Sequence, residues 1–367
     1  MRTARTDSAT DFAPGPAPRT EAPVLQDDQH GMRQIVAHCG LYKGADARRS
    51  IVQLATTLAL FVALSATMLF FHAQGWFWAS AALWLPAGGL LVRLFIIQHD
   101  CGHGSYFKTR AQNDLTGRAL SLLTFTPYSF WRDAHNLHHA GSGNLSRRGI
   151  GSIDTLTVRE YKALPPLKRM AYRLYRHPLM VLLLGPPLYV LLIQRLPLTA
   201  TFSYFEDYRS VPYAKIWRSV LMLDAGMVLF YGALVAVFGL APVLLVFLPP
   251  VIMAAWIGGW LFFVQHQFED TYWKDGKDWT FQNAALHGSS YYVLPRALQW
   301  FTGNIGLHHI HHLCSAIPNY RLQECLDTNA ALQTLNRMSI RQSLRCVKLA
   351  LWDETQEKMV SFAQALK

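Results

Sequence analysis

The sequence predicts an all-α integral membrane protein, with four transmembrane helices in two hairpins, interfacial helices, and a cytosolic helical cap carrying a dimetal site. Three observations lead there. Hydrophobic residues make up 51% of the 367-residue chain, which directs attention first to membrane spans. Four apolar runs have the length that crosses a bilayer. Nine of the fifteen histidines fall into three tight clusters beside those runs.

Residues 1–29 are rich in Ala, Pro, Thr and Asp and lack a long apolar run. They are expected to form a disordered tail rather than a signal peptide. A mixed stretch, 31–49, is expected to form an interfacial helix. The first span is 51–71, followed by a short connection and the second span, 76–97. Trp76, Trp78 and Trp84 near the start of that second run suit the membrane–water boundary. Residues 220–238 and 242–264 form the second pair, joined by Gly239, Leu240 and Ala241. A fifth run, 178–194, is shorter and holds Pro186 and Pro187 in its middle. The final stretch, 319–362, has apolar residues at helical spacing and is expected to be a helical part of the cap.

Charge sets the orientation. The formal net charge is +11, yet neither hairpin loop carries Lys or Arg. Basic residues gather instead between the hairpins, including Arg147, Arg148, Lys168, Arg169, Arg173 and Arg176, and after the fourth span. The positive-inside bias then places segments 98–219 and 265–367 in the cytoplasm. The same bias accounts for the charge without a nucleic-acid partner. Five scattered cysteines with no CxxC pair read as reduced thiols.

The histidine clusters are HDCGH at 99–103, HNLHH at 135–139 and HHIHH at 308–312. Residues three and four apart share a helix face. His99 pairs with His103 on that basis, His135 with His138 and His139, and His308 with His311 and His312. His309 lies about 100° away from His308 and is left out. Eight imidazoles exceed one tetrahedral zinc site and suit two metals held close together. Iron, copper, nickel and zinc all accept imidazole; an almost all-histidine shell favours oxygen chemistry on iron over hydrolysis. His266, just past the fourth span, is either a further ligand or an ordinary histidine at a helix end. Asp100, Asp133 and Asn136 are candidates to support the ligands, or else exposed polar helix residues. Clusters one and two must share a side with cluster three, so the 178–194 run is expected to lie in the interface or against the stem, not to cross.

The segments HDCGHGSYF, WRDAHNLHHAGSGN, RRGIGSIDTLTVREY and GNIGLHHIHHLCSAIPNYRL resemble the membrane fatty-acid desaturase family, in its bacterial delta-12/omega-3-like branch. The resemblance covers residues 98–322. Three residues separate the histidines of the first cluster, whereas animal-type acyl-CoA delta-9 members have four. The third cluster begins with His308, where front-end desaturases have glutamine. Asp154 departs from the residue usual at its place. The resemblance implies two irons, O2 as co-substrate and a fatty-acyl chain linked to lipid, coenzyme A or carrier protein. It adds His266 to the metal ligands His99, His103, His135, His138, His139, His308, His311 and His312. The His-Pro-Gly-Gly signature of a fused cytochrome b5 is absent, which implies a separate donor such as ferredoxin or a cytochrome b5-like protein. The expected setting is a bacterial inner membrane, with membrane lipid around the stem and the site on the cytoplasmic side. Two other readings use the same residues: a lipid or carotenoid hydroxylase with the same di-iron site, and a membrane zinc carrier or sensor. Carrier sites tend to lie near the bilayer midplane, whereas these clusters follow the spans.

Overall fold

The computed structural model describes residues 29–149, 151–196 and 211–366. The expected tail lies almost wholly outside the described residues. Four helices are long and apolar enough to cross a membrane: Ala47–Ala73, Phe77–His103, Tyr213–Phe238 and Leu240–His266. Each outlasts the apolar run that predicts it. A helix of 27 residues is about 40 Å long at 1.5 Å per residue, against a hydrocarbon core of about 30 Å. The surplus turns carry polar residues, and in Phe77–His103 and Leu240–His266 they end in histidine.

We label the elements used below α1 (Gln29–Gly40), α2 (Ala47–Ala73), α3 (Trp84–His103), α4 (Arg110–Thr124), α5 (Tyr128–Gly141), α6 (Pro166–Tyr175), α7 (Tyr213–Phe238), α8 (Leu240–His266), α9 (His308–Leu313) and α10 (Asn319–Asp327). Asp46 starts α2 by accepting a hydrogen bond from Arg49 N at 3.0 Å. Gly104, at φ +70°, stops α3 directly after His103. Helices α3 and α8 form the inner pair of the stem. They approach closely at Gly88, where an added Cβ would lie 2.5 Å from Met253 Cβ. Leu90, Leu91, Leu94 and Ile97 of α3 pack there with Phe61, Met68, Val246 and Val251. Arg93, buried on the same helix, donates to the Thr57 hydroxyl at 3.2 Å and to the Trp300 carbonyl, and lies over the Trp300 ring.

The 178–194 run continues α6 through a 51° bend, as Leu179–Arg195. It rests against α8: Trp256 Nε1 donates to Leu183 O at 2.7 Å, and the Pro186 ring sits over Gly259. Only when joined to α6 does it reach spanning length. A third crossing between clusters two and three would put them on opposite faces of a membrane, and they are in contact.

Two expectations need correction. The 31–49 stretch is not one interfacial helix. It divides into α1 and the start of α2, and α1 buries Ile35 and Cys39 against Leu286, Leu307, Ile310, Leu322 and Cys325 in the cap. The 319–362 stretch is only partly helical. After α10 it contributes Arg337–Ser339, Leu351–Asp353 and Lys358–Val360 to two small sheets, paired with Tyr291–Val293 and Leu156–Thr157. Asp353 turns the chain there by accepting from the backbone N–H groups of Thr355 and Gln356. All five cysteines are free and buried.

Gly117 makes the α4–α5 contact measurable. An added Cβ would meet the Tyr128 ring at 2.2 Å. That ring is buried, and its hydroxyl donates to Cys101 O at 2.9 Å, so it has no free direction of retreat. Gly117→Ala is expected to cost about 1–3 kcal/mol by overpacking, seen as a lower thermal midpoint in detergent. An unchanged midpoint would show that the ring moves at no cost.

Candidate metal centre

Three kinds of local structure deliver the histidines. The last turn of α3 supplies His99 and His103, and α8 ends on His266. Helix α5 supplies His135, His138 and His139 from its second half. The short helix α9 supplies His308, His311 and His312. Each hairpin therefore contributes the end of its second helix, on one face of the stem.

The side chains converge in two adjoining groups. His99, His103, His135, His139 and His311 each offer a ring nitrogen, all within 4.8 Å of one another. His138, His266 and His312 form a second group on the same criterion. His308 joins it through Nε2, 3.0 Å from His266 Nε2. The groups touch where the rings of His139 and His312 stack at 4.0 Å. His309 faces away, its Nε2–H donating to Leu332 O at 2.9 Å. His72 sits at the far end of α2.

The donor set fits metal. Two nitrogens on one ion at about 2.0–2.1 Å stand about 2.9–3.4 Å apart, for angles from octahedral to tetrahedral. The pairs His138–His266, His135–His139 and His139–His311 lie 3.2, 3.1 and 3.1 Å apart at Nε2. His103 Nε2 and His312 Nε2 are buried without a hydrogen-bond partner among the described residues, a costly arrangement unless a ligand bond satisfies them. Burial first, and the neighbouring imidazoles second, hold His135, His139, His308, His311 and His312 well below the ordinary histidine value. His138 is lowered in the same way. The neutral imidazole so favoured is the form that binds metal.

Three of the opposite ring nitrogens are held in turn, while His139 Nδ1 and His308 Nδ1 have no hydrogen-bond partner among the described residues. His99 Nδ1 meets Asp100 Oδ1 at 3.1 Å, His138 Nδ1 meets the Ser152 hydroxyl at 2.8 Å, and His266 Nδ1 donates to Gly288 O at 3.1 Å. The carboxylate and the carbonyl only accept, so they fix the tautomers of His99 and His266, and all three contacts orient their rings. Of the three candidate supports, only Asp100 acts in this way. Asp133 pairs instead with Arg132 and Lys215, and Asn136 is exposed. Sequence reasoning missed Ser152 and Gly288. Ser152 carries no pattern that separates it from other loop serines, and Gly288 acts through its backbone. An open cleft reaches His138 and His266, walled by Phe262, Ile153 and Tyr272 with Arg147 beside it.

The sequence model for fatty acid desaturases matches residues 76–342, a stretch that contains all nine converging histidines. This chain belongs to the fatty acid desaturase family. It is 37% identical over 333 residues to a fatty acid desaturase of Bacillus subtilis, covering 91% of each chain. It is 31% identical to an Arabidopsis thaliana acyl-lipid omega-3 desaturase (cytochrome b5) of the endoplasmic reticulum, covering 69% of this chain and 64% of that one. It is 27% identical to an sn-1 acyl-lipid omega-3 desaturase (ferredoxin) of Nostoc, covering 74% and 72%. Family and apolar helices together make it a membrane-bound desaturase whose histidine clusters are compatible with a metal site.

Acid is expected to loosen the metal-free protein. The six imidazoles outside the spans have folded values below the ordinary one of about 6.5, so the unfolded chain binds more protons as pH falls through that value. Stability therefore declines below about pH 6.5 and not above it. The thermal midpoint of chelator-treated protein in detergent should fall between pH 7 and 5.5. A flat profile there would contradict the burial of neutral imidazoles.

Proposed function

We propose that the protein desaturates a fatty-acyl chain at a di-iron centre held by His99, His103, His135, His138, His139, His266, His308, His311 and His312. The observation that carries this is the meeting of nine imidazoles in two touching groups within a desaturase-family chain. The first group is the size for one ion and the second, with His308, for the other. Bound iron would supply O2 activation: a CH2–CH2 pair, O2, two electrons and two protons give CH=CH and two waters.

The protein's own part is to hold, aim and exclude. Asp100 and Gly288 O fix the tautomers of His99 and His266, and Ser152 orients the ring of His138. Tyr128 and the Gly117 notch seat α5 against α4, which keeps its three histidines in register with those of α3. All methylenes of an acyl chain are chemically alike, so selection rests on how deep the chain reaches. The cleft beside Phe262 and Ile153 borders His138 and His266 and is our choice for the reacting segment.

The finer readings are a delta-12-like bond position, a separate electron donor and a cytoplasmic active face in a bacterial inner membrane. Three residues between His99 and His103, with His308 opening the third cluster, support the first. The relatives named for ferredoxin and cytochrome b5 support the second. Basic residues on the histidine side of the stem support the third.

Expression in a host of defined lipid composition, with mass-spectrometric location of the new double bond, tests the reading. A new double bond that counts to delta-12 is expected, with water as the fate of O2. Hydroxylated acyl product without a new double bond would overturn it in favour of a hydroxylase. A double bond at the omega-3 position would keep the activity and replace the regiochemistry. His311→Ala should lower iron content and abolish product, whereas His72→Ala should leave both unchanged. Full activity in His311→Ala would refute the ligand set.

A further inference from the structure

The contacts behind the histidines are unequal in charge. His99, of the first group, is backed by a carboxylate: its Nδ1 lies 3.1 Å from Asp100 Oδ1, and both residues are buried. In the second group His138 is backed by the Ser152 hydroxyl and His266 by the Gly288 carbonyl, both neutral. Among the described residues no other histidine of the centre makes an ion pair with a carboxylate.

Asp100 is also fixed from its other side. Its Oδ2 accepts from Asn319 N at 2.7 Å and from Asn319 Nδ2 at 2.8 Å. Asn319 opens α10, and Pro318 before it offers no side-chain cap. Asp100 therefore caps that helix from across the fold, where a negative group is favoured. Asn319 Oδ1 in turn accepts from Gln53 Nε2 of α2 at 2.8 Å. Helices α2, α3 and α10 thus converge on one buried carboxylate, which is held against rotation while it faces His99.

Building on the di-iron reading above, we infer that Asp100 is a positioning residue that makes the two irons electronically unequal. The iron held by the His99 group is the harder one to reduce. A negative charge behind an imidazole makes the ligand more basic and favours the higher charge on the metal. Burial leaves that effect poorly screened. Hydroxyl and carbonyl acceptors behind His138 and His266 supply no net charge, so the second iron takes up its electron first.

The test is a reductive titration of the full-length protein in detergent, loaded with 57Fe and followed by Mössbauer spectroscopy. Wild type should show two iron signals of equal area that reduce at separate potentials. Asp100→Asn keeps the shape and an acceptor for Asn319 N but removes the charge. It should retain two irons and raise the potential of one signal at least tenfold in reduction equilibrium, about 59 mV for one electron. The other signal should stay in place, and Asp100→Glu should restore part of the separation. Ser152→Ala should leave the low-potential signal unmoved. Wild-type irons that reduce together as one signal would overturn the inference, whatever the variants do. So would Asp100→Asn with two irons and unchanged potentials. If Asp100→Asn binds no iron, the wild-type titration decides alone. Wild type that takes up zinc and no iron would instead refute the di-iron reading itself.

Discussion

Nine imidazoles, seven of them buried and two partly so, have to be brought to one place by chain segments that lie up to about 210 residues apart, from His99 to His312. Protonated rings at these distances would repel, so the cluster exists only while its members stay neutral. Burial holds those outside the spans in that state. Topology follows from the same requirement. His139 and His311 stand 3.1 Å apart at Nε2, and two long apolar helices lie between them in sequence. An even number of crossings is therefore compulsory, and the bent 178–194 segment has to turn back against α8.

Helix length answers the same demand. A span that merely crossed would leave His103 and His266 level with the lipid. The turns of α3 and α8 that continue past the apolar runs carry both, and the glycine at 104 ends α3 where its histidines are spent. The inner pair is anchored by close approach at Gly88 and by Leu90, Leu94, Val246 and Val251. Movement of α3 relative to α8 would change the distance from His99 and His103 to His266 directly, so stem packing and site geometry are one problem.

Much of this was legible in the sequence, because it rests on periodicity. Apolar length marks spans, and spacings of three and four mark shared helix faces, which selected eight ligands and set His309 aside. His266 needed more than spacing; a lone histidine at a helix end has no pattern, and only resemblance favoured it. The cap was the least legible part. Its leucines at 322, 326, 332 and 335 follow helical spacing, but the chain beyond Asn336, at φ +43°, turns into strands. Strands of three residues are too short to display alternation, and their partners at 156–157 and 291–293 lie far off in sequence. Ser152 and Gly288 O were hidden for a related reason: local sequence does not tell which loop atom meets a histidine.

Placement also separates an enzyme from a carrier. A transported ion must be reachable from both sides in turn, and its site lies near the midplane between repeats. Here the imidazoles sit at helix ends under a cap built from α1, α9 and α10, and a cleft reaches His138 and His266. Each ring whose second nitrogen is held by Asp100, Ser152 or Gly288 O has lost the freedom that release would need. A carrier would gain nothing from fixing tautomers so firmly. A centre that must keep its metals through repeated oxidation and reduction gains retention and a set potential from the same contacts.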